Sequence, residues 1–188
     1  KSELTKSQIN TIRKDLTVKP FVNQQYGQAP NRFPVYLESV KKLYLPRYYG
    51  ITNFGNPDIN KIKSGDKINI TFSKKLRKNQ EPIVDTYMKV ASDDNKGGGI
   101  ICVPCGYGKT VIALNILSQL KRKTLIVVHK TFLMNQWRER IKEFLDGAVI
   151  GKIQGKTIDI INKNIVIAML QTLSMKEFPP GTFDSFGT

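Results

Sequence analysis

The chain has 188 residues, of which 40% are hydrophobic and 24% are charged, a composition typical of a globular protein with one core and a smaller module. Its net charge of +15 is uneven, since residues 1–79 contain 16 Lys/Arg against 5 Asp/Glu and residues 80–188 contain 14 against 10. Clustered positive charge attracts polyanions and predicts a nucleic-acid partner, the alternative being a basic surface that only aids solubility. No run reaches the roughly 18 uncharged apolar residues of a membrane span, so we expect no membrane partner.

The N-terminal sequence KSELTKSQIN is too polar for a secretory signal, which favours an intracellular protein without distinguishing cytoplasm, nucleus and virion. The chain lacks an initiator methionine and stops at FDSFGT, and both features predict a fragment of a longer polypeptide. Cys102 and Cys105 form a CxxC, but the single histidine, His129, cannot complete a zinc site of about four ligands. We therefore interpret the cysteines as reduced thiols, Cys102 in a strand and Cys105 in a loop. The oligomeric state is not predicted.

Residues 1–72 read as a small, basic, aromatic-rich and β-rich N-terminal module. Leu4, Ile9 and Ile12 recur loosely at helical spacing and predict a helix around residues 5–15. Short alternations predict strands near Phe33–Leu37 and Leu43–Leu45, followed by turns at Gly50 and Gly55. The stretch KSGDKINITF, residues 63–72, predicts a turn and one further strand.

Residues 73–188 show a different pattern, that of an α/β fold. A helix is expected from Ser73 onward, with Pro82 in its first turn and these residues on one face: Leu76, Ile83, Val84, Tyr87 and Met88. Strand-like runs follow at Gly99–Val103, Thr124–His129, Ala148–Gln154 and Ile165–Met169, with helices at Lys109–Leu120 and Lys130–Leu145. Strands that alternate with helices of this length predict a parallel sheet with crossover helices.

The stretch VPCGYGKT, between the first strand and the first of these helices, has the residues of a phosphate-binding loop. Gly106 and Gly108 allow a tight turn that exposes backbone N–H groups to an anion at a helix N-terminus. Lys109 would reach the β- and γ-phosphates, and the Thr110 hydroxyl would bind Mg2+. Val103 stands where the full GxxxxGK[ST] pattern has its first glycine. The alternative is a glycine-rich turn beside a surface lysine.

The order of motifs around this loop resembles that of superfamily 2 helicases. PCGYGKT is similar to the PTGSGKT form of the loop in that superfamily, and LRKNQ resembles its LRxYQ element. The resemblance implies adenine contacts by Arg77 and Gln80, where an amide can both donate and accept. It also implies that ATP contacts the loop residues Pro104, Cys105, Gly106, Tyr107, Gly108, Lys109 and Thr110.

Two further runs resemble the nucleic-acid-binding motifs of the XPB-like and type III restriction branch, which is of the DExH type. TLIVVHKTFLMNQWRERI resembles motif Ia, with Lys130 and Thr131 in the loop and Gln136 on the following helix. NIVIAMLQTLSM resembles motif Ib, in which Gln171 and Thr172 are candidates for contacts with the nucleic-acid backbone. Trp137 follows Gln136, and a helix tryptophan is more often part of a core than a base-stacking platform.

The resemblance implies a RecA-like first lobe over residues 73–188, incomplete because the DExH box should follow FDSFG. The phrases KDLTVKPF, FPVYLES and LYLPRYYG also resemble the leader of helicases from large DNA viruses. The implied function is ATP-dependent translocation along or unwinding of nucleic acid, DNA being favoured over RNA, with hydrolysis absent from this fragment alone. Two alternatives remain: a phosphate-loop enzyme of another class, such as a nucleotide kinase, and a basic nucleic-acid-binding scaffold with a vestigial loop.

Overall fold

The computed structural model describes residues 3–19, 31–91 and 97–187, which divide into two compact units after Asn60. The division lies earlier than the boundary predicted at residue 72, because residues 61–72 pack with the second unit. Ile70 is buried in the core of that unit, and the strand Thr71–Phe72 (β5) pairs antiparallel with Leu145–Asp146 (β7). As a result, the +11 of residues 1–79 divides into +5 for residues 1–60 and +6 for residues 61–79.

The first unit combines two helices with short antiparallel strand pairs. Its elements are Lys6–Asp15 (α1), Thr17–Val18 (β1), Phe33–Pro34 (β2), Leu37–Glu38 (β3), Leu43–Tyr44 (β4) and Arg47–Phe54 (α2). Strand β1 pairs with β2, and β3 pairs with β4. Thr5 caps α1 in a reciprocal arrangement with Gln8, which explains why the predicted helix begins there. The turn predicted at Gly50 is wrong, since Gly50 lies inside α2, whereas Gly55 ends that helix with φ +84°.

The second unit is built on a four-stranded sheet. Its remaining elements are Glu81–Ala91 (α3), Lys109–Leu120 (α4), Thr124–Val128 (β6), Thr131–Phe144 (α5), Ile150–Gln154 (β8), Thr157–Asp159 (β9), Ile165–Met169 (β10) and Leu170–Met175 (α6). The strand order is β6-β10-β8-β9, with β10 parallel to both β6 and β8 and with β9 antiparallel to β8. The central strand β10 is an unbroken apolar run, as expected for a strand covered on both faces.

Two apolar clusters cover the two faces of this sheet. Ile165 and Ile167 of β10 pack with side chains of α4 and α5. Val166 and Ala168, which point the other way, pack with Phe186 near the end of the described chain. The predicted parallel sheet with crossover helices is confirmed, and the hairpin that adds β9 is an element that the sequence pattern did not reveal.

Two predicted elements differ from the structure. The helix expected from Ser73 begins at Glu81, because Pro82 cannot donate a backbone hydrogen bond and is accommodated only in the first helical turn. Residues 99–103 do not form the predicted strand, since no described segment pairs with them. Ile100 is 96% exposed, and this stretch instead lines a groove of about 410 Å³ against α3. A strand requires a hydrogen-bonded neighbour, which apolar sequence alone does not supply.

Candidate nucleotide and nucleic-acid sites

The loop before α4 has the shape of an anion cradle. Gly106 has φ +79° and Gly108, the N-cap of α4, has φ +84°, both in the left-handed region that favours glycine. Ile112 N–H is the first to bond back along the helix, to Gly108 O at 3.0 Å. The N–H groups of the preceding helical residues, 109–111, therefore have no partner within the helix and are available to an anion.

Lys109 and Thr110 follow at the start of α4. The Lys109 side chain is exposed, and its ammonium donates to Pro104 O at 2.9 Å, so it folds back over the loop. Thr110 is half-buried in the first turn, where its hydroxyl would be one oxygen ligand of a Mg2+ ion. Pro104 and Cys105 are exposed on the loop, and Tyr107 packs against the apolar cluster that α3 and α4 share.

Gln80 contacts the loop rather than an open base pocket. Its side chain is 2% exposed. Its Nε2 donates to Tyr107 O at 2.9 Å, and its Oε1 accepts from Arg77 N–H at 3.0 Å. A methyl group at Gly108 would lie 2.5 Å from this Nε2. Gln80 therefore links the loop before α4 to the segment before α3, a contact that the sequence did not indicate. Arg77 is exposed, and it reaches this cluster through its backbone.

The second group of predicted residues meets at the carboxyl edge of the parallel sheet. Lys130, two residues after the end of β6, is the N-cap of α5, and Thr131 is the first residue of that helix. Gln171 and Thr172 lie in α6, directly after β10. The two strands are neighbours, so their following loops meet, and Gln171 Nε2 donates to His129 O at 2.8 Å. Four of the five predicted nucleic-acid residues thus share one edge.

The sequence prediction missed the part of this edge that comes from the β8–β9 turn. Gly155 N–H donates to the Thr172 hydroxyl at 3.0 Å, and Gln154 Nε2 donates to the Thr131 hydroxyl at 3.4 Å. This turn therefore bridges the loops after β6 and β10, and it also carries the exposed Lys156. The sequence signal was a Gln-Gly-Lys triplet directly after an alternating strand, a pattern typical of a hairpin turn.

Gln136 and Trp137 lie farther along α5. Gln136 is exposed in the second turn of α5. Trp137 is half-buried and packs against the core cluster of the second unit, which confirms its interpretation as a core residue.

Neither cysteine forms a disulfide, and both are exposed. In the stretches 3–19, 31–91 and 97–187, no group of three or more His, Cys, Asp or Glu side chains could bind a metal ion. Over the same stretches, no helix combines the length and the apolar character required to cross a bilayer.

Residues 73–185 match the model of the family described as "Type III restriction enzyme, res subunit". The chain belongs to this family. Its ordered motifs and parallel sheet are those of part of the RecA-like domain of superfamily 2, in the XPB and type III restriction branch. The resemblance inferred from the ordered motifs is thereby confirmed.

Relatives with helicase names include viral, archaeal and bacterial proteins. A protein of Acanthamoeba polyphaga mimivirus, "Putative ATP-dependent RNA helicase L396", is 34% identical over 184 residues, 95% of this chain and 35% of the relative. "DNA 3'-5' translocase XPB2" of Sulfurisphaera tokodaii is 54% identical over 48 residues, 26% of this chain and 11% of the relative. "DNA 3'-5' helicase XPB" of Kineococcus radiotolerans is 30% identical over 103 residues, 54% of this chain and 17% of the relative. The chain thus spans about a third of the length of the mimivirus protein.

Proposed function

We propose that this chain provides the nucleotide-binding and part of the strand-binding surface of an ATP-dependent nucleic-acid translocase or helicase, with DNA as the favoured track. This proposal is supported most directly by the presence of two features in the same unit. One is the anion cradle before α4, and the other is the polar carboxyl edge at the ends of β6, β8 and β10. In this proposal, residues 61–187 act as part of a RecA-like lobe and residues 1–60 as an accessory module.

The loop residues fit the triphosphate of ATP with Mg2+. The glycines leave the cradle open, the helix N-terminus favours negative charge, and the Lys109 ammonium lies over the loop on Pro104 O. Thr110 would supply one oxygen to Mg2+, while phosphate oxygens and water would supply the others. In this proposal, the buried Gln80 positions the loop, and the exposed Arg77 contacts the base. When bound, ATP supplies a phosphoanhydride bond whose hydrolysis changes the contacts within the site.

The carboxyl edge is suited to the backbone of a nucleic-acid strand. Hydroxyl, amide and backbone N–H groups from three loops meet there, and such groups are typical ligands of phosphate and sugar oxygens. Contacts of this kind carry no sequence information, so binding would depend on salt rather than on sequence. A motor requires this property, since it must grip every position along its track.

Lys109→Ala should reduce the affinity for a fluorescent ATP analogue by about 10- to 100-fold, because a charge-assisted contact to phosphate contributes about 1.5–3 kcal/mol. The matched control is Lys89→Ala, which removes a lysine from the last turn of α3. Fluorescence anisotropy measures both affinities. Equal affinities of the parent and Lys109→Ala chains would contradict the proposal that this loop binds the triphosphate.

Lys130→Ala should weaken binding of a single-stranded DNA oligomer and flatten its salt dependence by about 0.7 in the slope of log K against log salt concentration, the value for one phosphate contact. Lys142→Ala, in the last turn of the same helix, is the control with the same charge change. If Lys130→Ala leaves this slope unchanged, the nucleic-acid strand does not contact Lys130.

Hydrolysis separates the helicase proposal from the two alternatives. ATP turnover by the complete gene product is measured with single-stranded, double-stranded and branched DNA and with RNA. A translocase should be stimulated by one of these tracks, whereas a nucleotide kinase should respond to a nucleoside monophosphate and a scaffold with a vestigial loop to neither.

A further inference from the structure

The first unit leaves aromatic side chains exposed on one short stretch. Tyr44 ends β4 and is 53% exposed, and Tyr48, in the first turn of α2, is 48% exposed. The Arg47 guanidinium lies 5.9 Å from the centre of the Tyr48 ring, a cation–π arrangement that leaves its charge at the surface. Two accessible rings and a guanidinium thus lie within five consecutive residues.

The neighbouring Tyr49 has a different role, which explains why Tyr48 faces outward. The Tyr49 hydroxyl donates to Asp15 Oδ2 at 3.0 Å, so this side of α2 faces α1. Desolvation and this hydrogen bond raise the pKa of the Tyr49 phenol, which further favours its neutral, donating form. Successive helix residues point about 100° apart, so Tyr48 lies on a different side of α2 from Tyr49, and it is 48% exposed.

The net charge of the first unit indicates the kind of partner that it could bind. Residues 1–60 contain 9 Lys/Arg against 4 Asp/Glu, a net charge of +5. Two of the four carboxylates have partners inside the unit, since Asp15 accepts from Tyr49 and Glu38 accepts from the Arg13 guanidinium at 2.7 Å. Each of these bonds joins α1 to another element. The surface that remains is cationic and aromatic, which suits a polyanion with flat rings.

We propose that Tyr44, Arg47 and Tyr48 form a binding surface for single-stranded nucleic acid, on which bases stack against the tyrosine rings while Arg47 contacts the backbone. These three residues belong to the first unit, whereas the carboxyl edge belongs to the second. The proposal rests on the proposed function only for the class of partner, nucleic acid. Stacking on side chains of this type does not depend on sequence, because every base has a π-face.

The test compares the affinity of the whole chain for two oligomers. One is a single-stranded DNA 20-mer, and the other is an abasic 20-mer, which retains the phosphates and lacks the bases. The parent chain should bind the normal oligomer more tightly. Tyr44→Ala and Tyr48→Ala should each weaken its binding by about 5- to 100-fold, the usual effect of one stacking ring. In the double variant, the affinities for the two oligomers should become equal, and Tyr48→Trp should preserve the difference.

The control is Phe54→Ala, which removes an aromatic ring that is 49% exposed at the other end of α2. The proposal is overturned if Phe54→Ala reduces affinity as much as the tyrosine variants, or if the double variant, still folded by circular dichroism, retains the preference for bases. If the parent chain binds neither oligomer, it is the proposed function that fails. If it binds both equally, only the stacking surface fails.

Discussion

Gly108→Ala should lower the affinity for a fluorescent ATP analogue at least 100-fold, roughly 3 kcal/mol, the largest effect we expect on nucleotide binding. An alanine at φ +84° requires the left-handed region, which costs about 1–2 kcal/mol. Its methyl group would also lie 2.5 Å from Gln80 Nε2. Gln80 cannot swing aside freely, because doing so breaks its bonds to Tyr107 O and Arg77 N–H. Each such bond is largely shielded from water, so its loss adds about 1 kcal/mol or more.

Gly106→Ala is the matched control for this substitution. Gly106 has nearly the same conformation, φ +79°, but a methyl group there would meet no atom within 4 Å. Gly106→Ala should therefore lose only the free energy of placing an alanine in the left-handed region, which corresponds to about a tenfold loss of nucleotide affinity. If Gly106→Ala and Gly108→Ala reduce affinity equally, the contact with Gln80 has no part in shaping the loop.

The double variant Gln80→Ala/Gly108→Ala separates the clash from the strain. Removing the amide relieves the close contact, so the double variant should bind nucleotide no more weakly than Gly108→Ala alone. Such non-additivity is the sign of two residues in direct contact. Gln80→Ala by itself should lose about tenfold, through the missing bond to Tyr107 O. Additive losses would instead indicate that the two residues act independently.

The sequence correctly predicted the elements whose structure depends on residues that are close together in the chain. The helix Lys109–Leu120 has the predicted bounds, since Gly108 can adopt the left-handed N-cap conformation and buried apolar residues such as Ile112 and Ile116 recur at helical spacing. The strand Ile165–Met169 was likewise predicted with its bounds, because an unbroken apolar run of that length is typical of a buried strand.

The parts that the sequence did not predict depend on contacts between distant segments. Residues 99–103 have the composition of a strand, yet they have no described pairing partner, since pairing depends on two segments. Gln80 reads as a polar residue before a helix, and only the fold brings its amide to the backbone of Tyr107, 27 positions away. The same holds for Gly155, whose N–H reaches the Thr172 hydroxyl across the edge of the sheet.

The division of charge also follows from the fold. The sequence assigned the excess of residues 1–79 to one N-terminal module, but more than half of it belongs to residues 61–79, which pack with the second unit. A backbone bridge joins Lys67 to Arg122 in that unit, and the Lys63 ammonium contacts Asp184 at 2.6 Å. Salt dependence of nucleic-acid binding should therefore have contributions from both units.

Gly151→Ala should destabilise the second unit more than any other single methyl addition in its sheet. Gly151 lies in β8, where an added methyl group would overlap Asp159 O and lie 2.7 Å from Lys163 Cγ. The first contact is with backbone, so relief requires β9 to separate from β8 near the pair Lys152 and Asp159. Overpacking of this kind costs about 3 kcal/mol, which corresponds to a decrease of roughly 6–12 °C in Tm for a chain of this size.

The fluorescence of Trp137 measures this loss in the second unit alone, because it is the only tryptophan and packs against the core there. Gly155→Ala is the control: it lies in the adjacent turn at φ +55°, with no atom within 4 Å of an added methyl group, so its Tm should fall by less than half as much. Displacement of β9 would also shift the turn that carries Gln154, and Gly151→Ala should therefore weaken single-stranded DNA binding at a temperature where the unit is still folded. A Tm equal to that of the parent chain would show that β9 can move away from β8 at no cost, and the turn would then be too loosely placed to align the loops after β6 and β10.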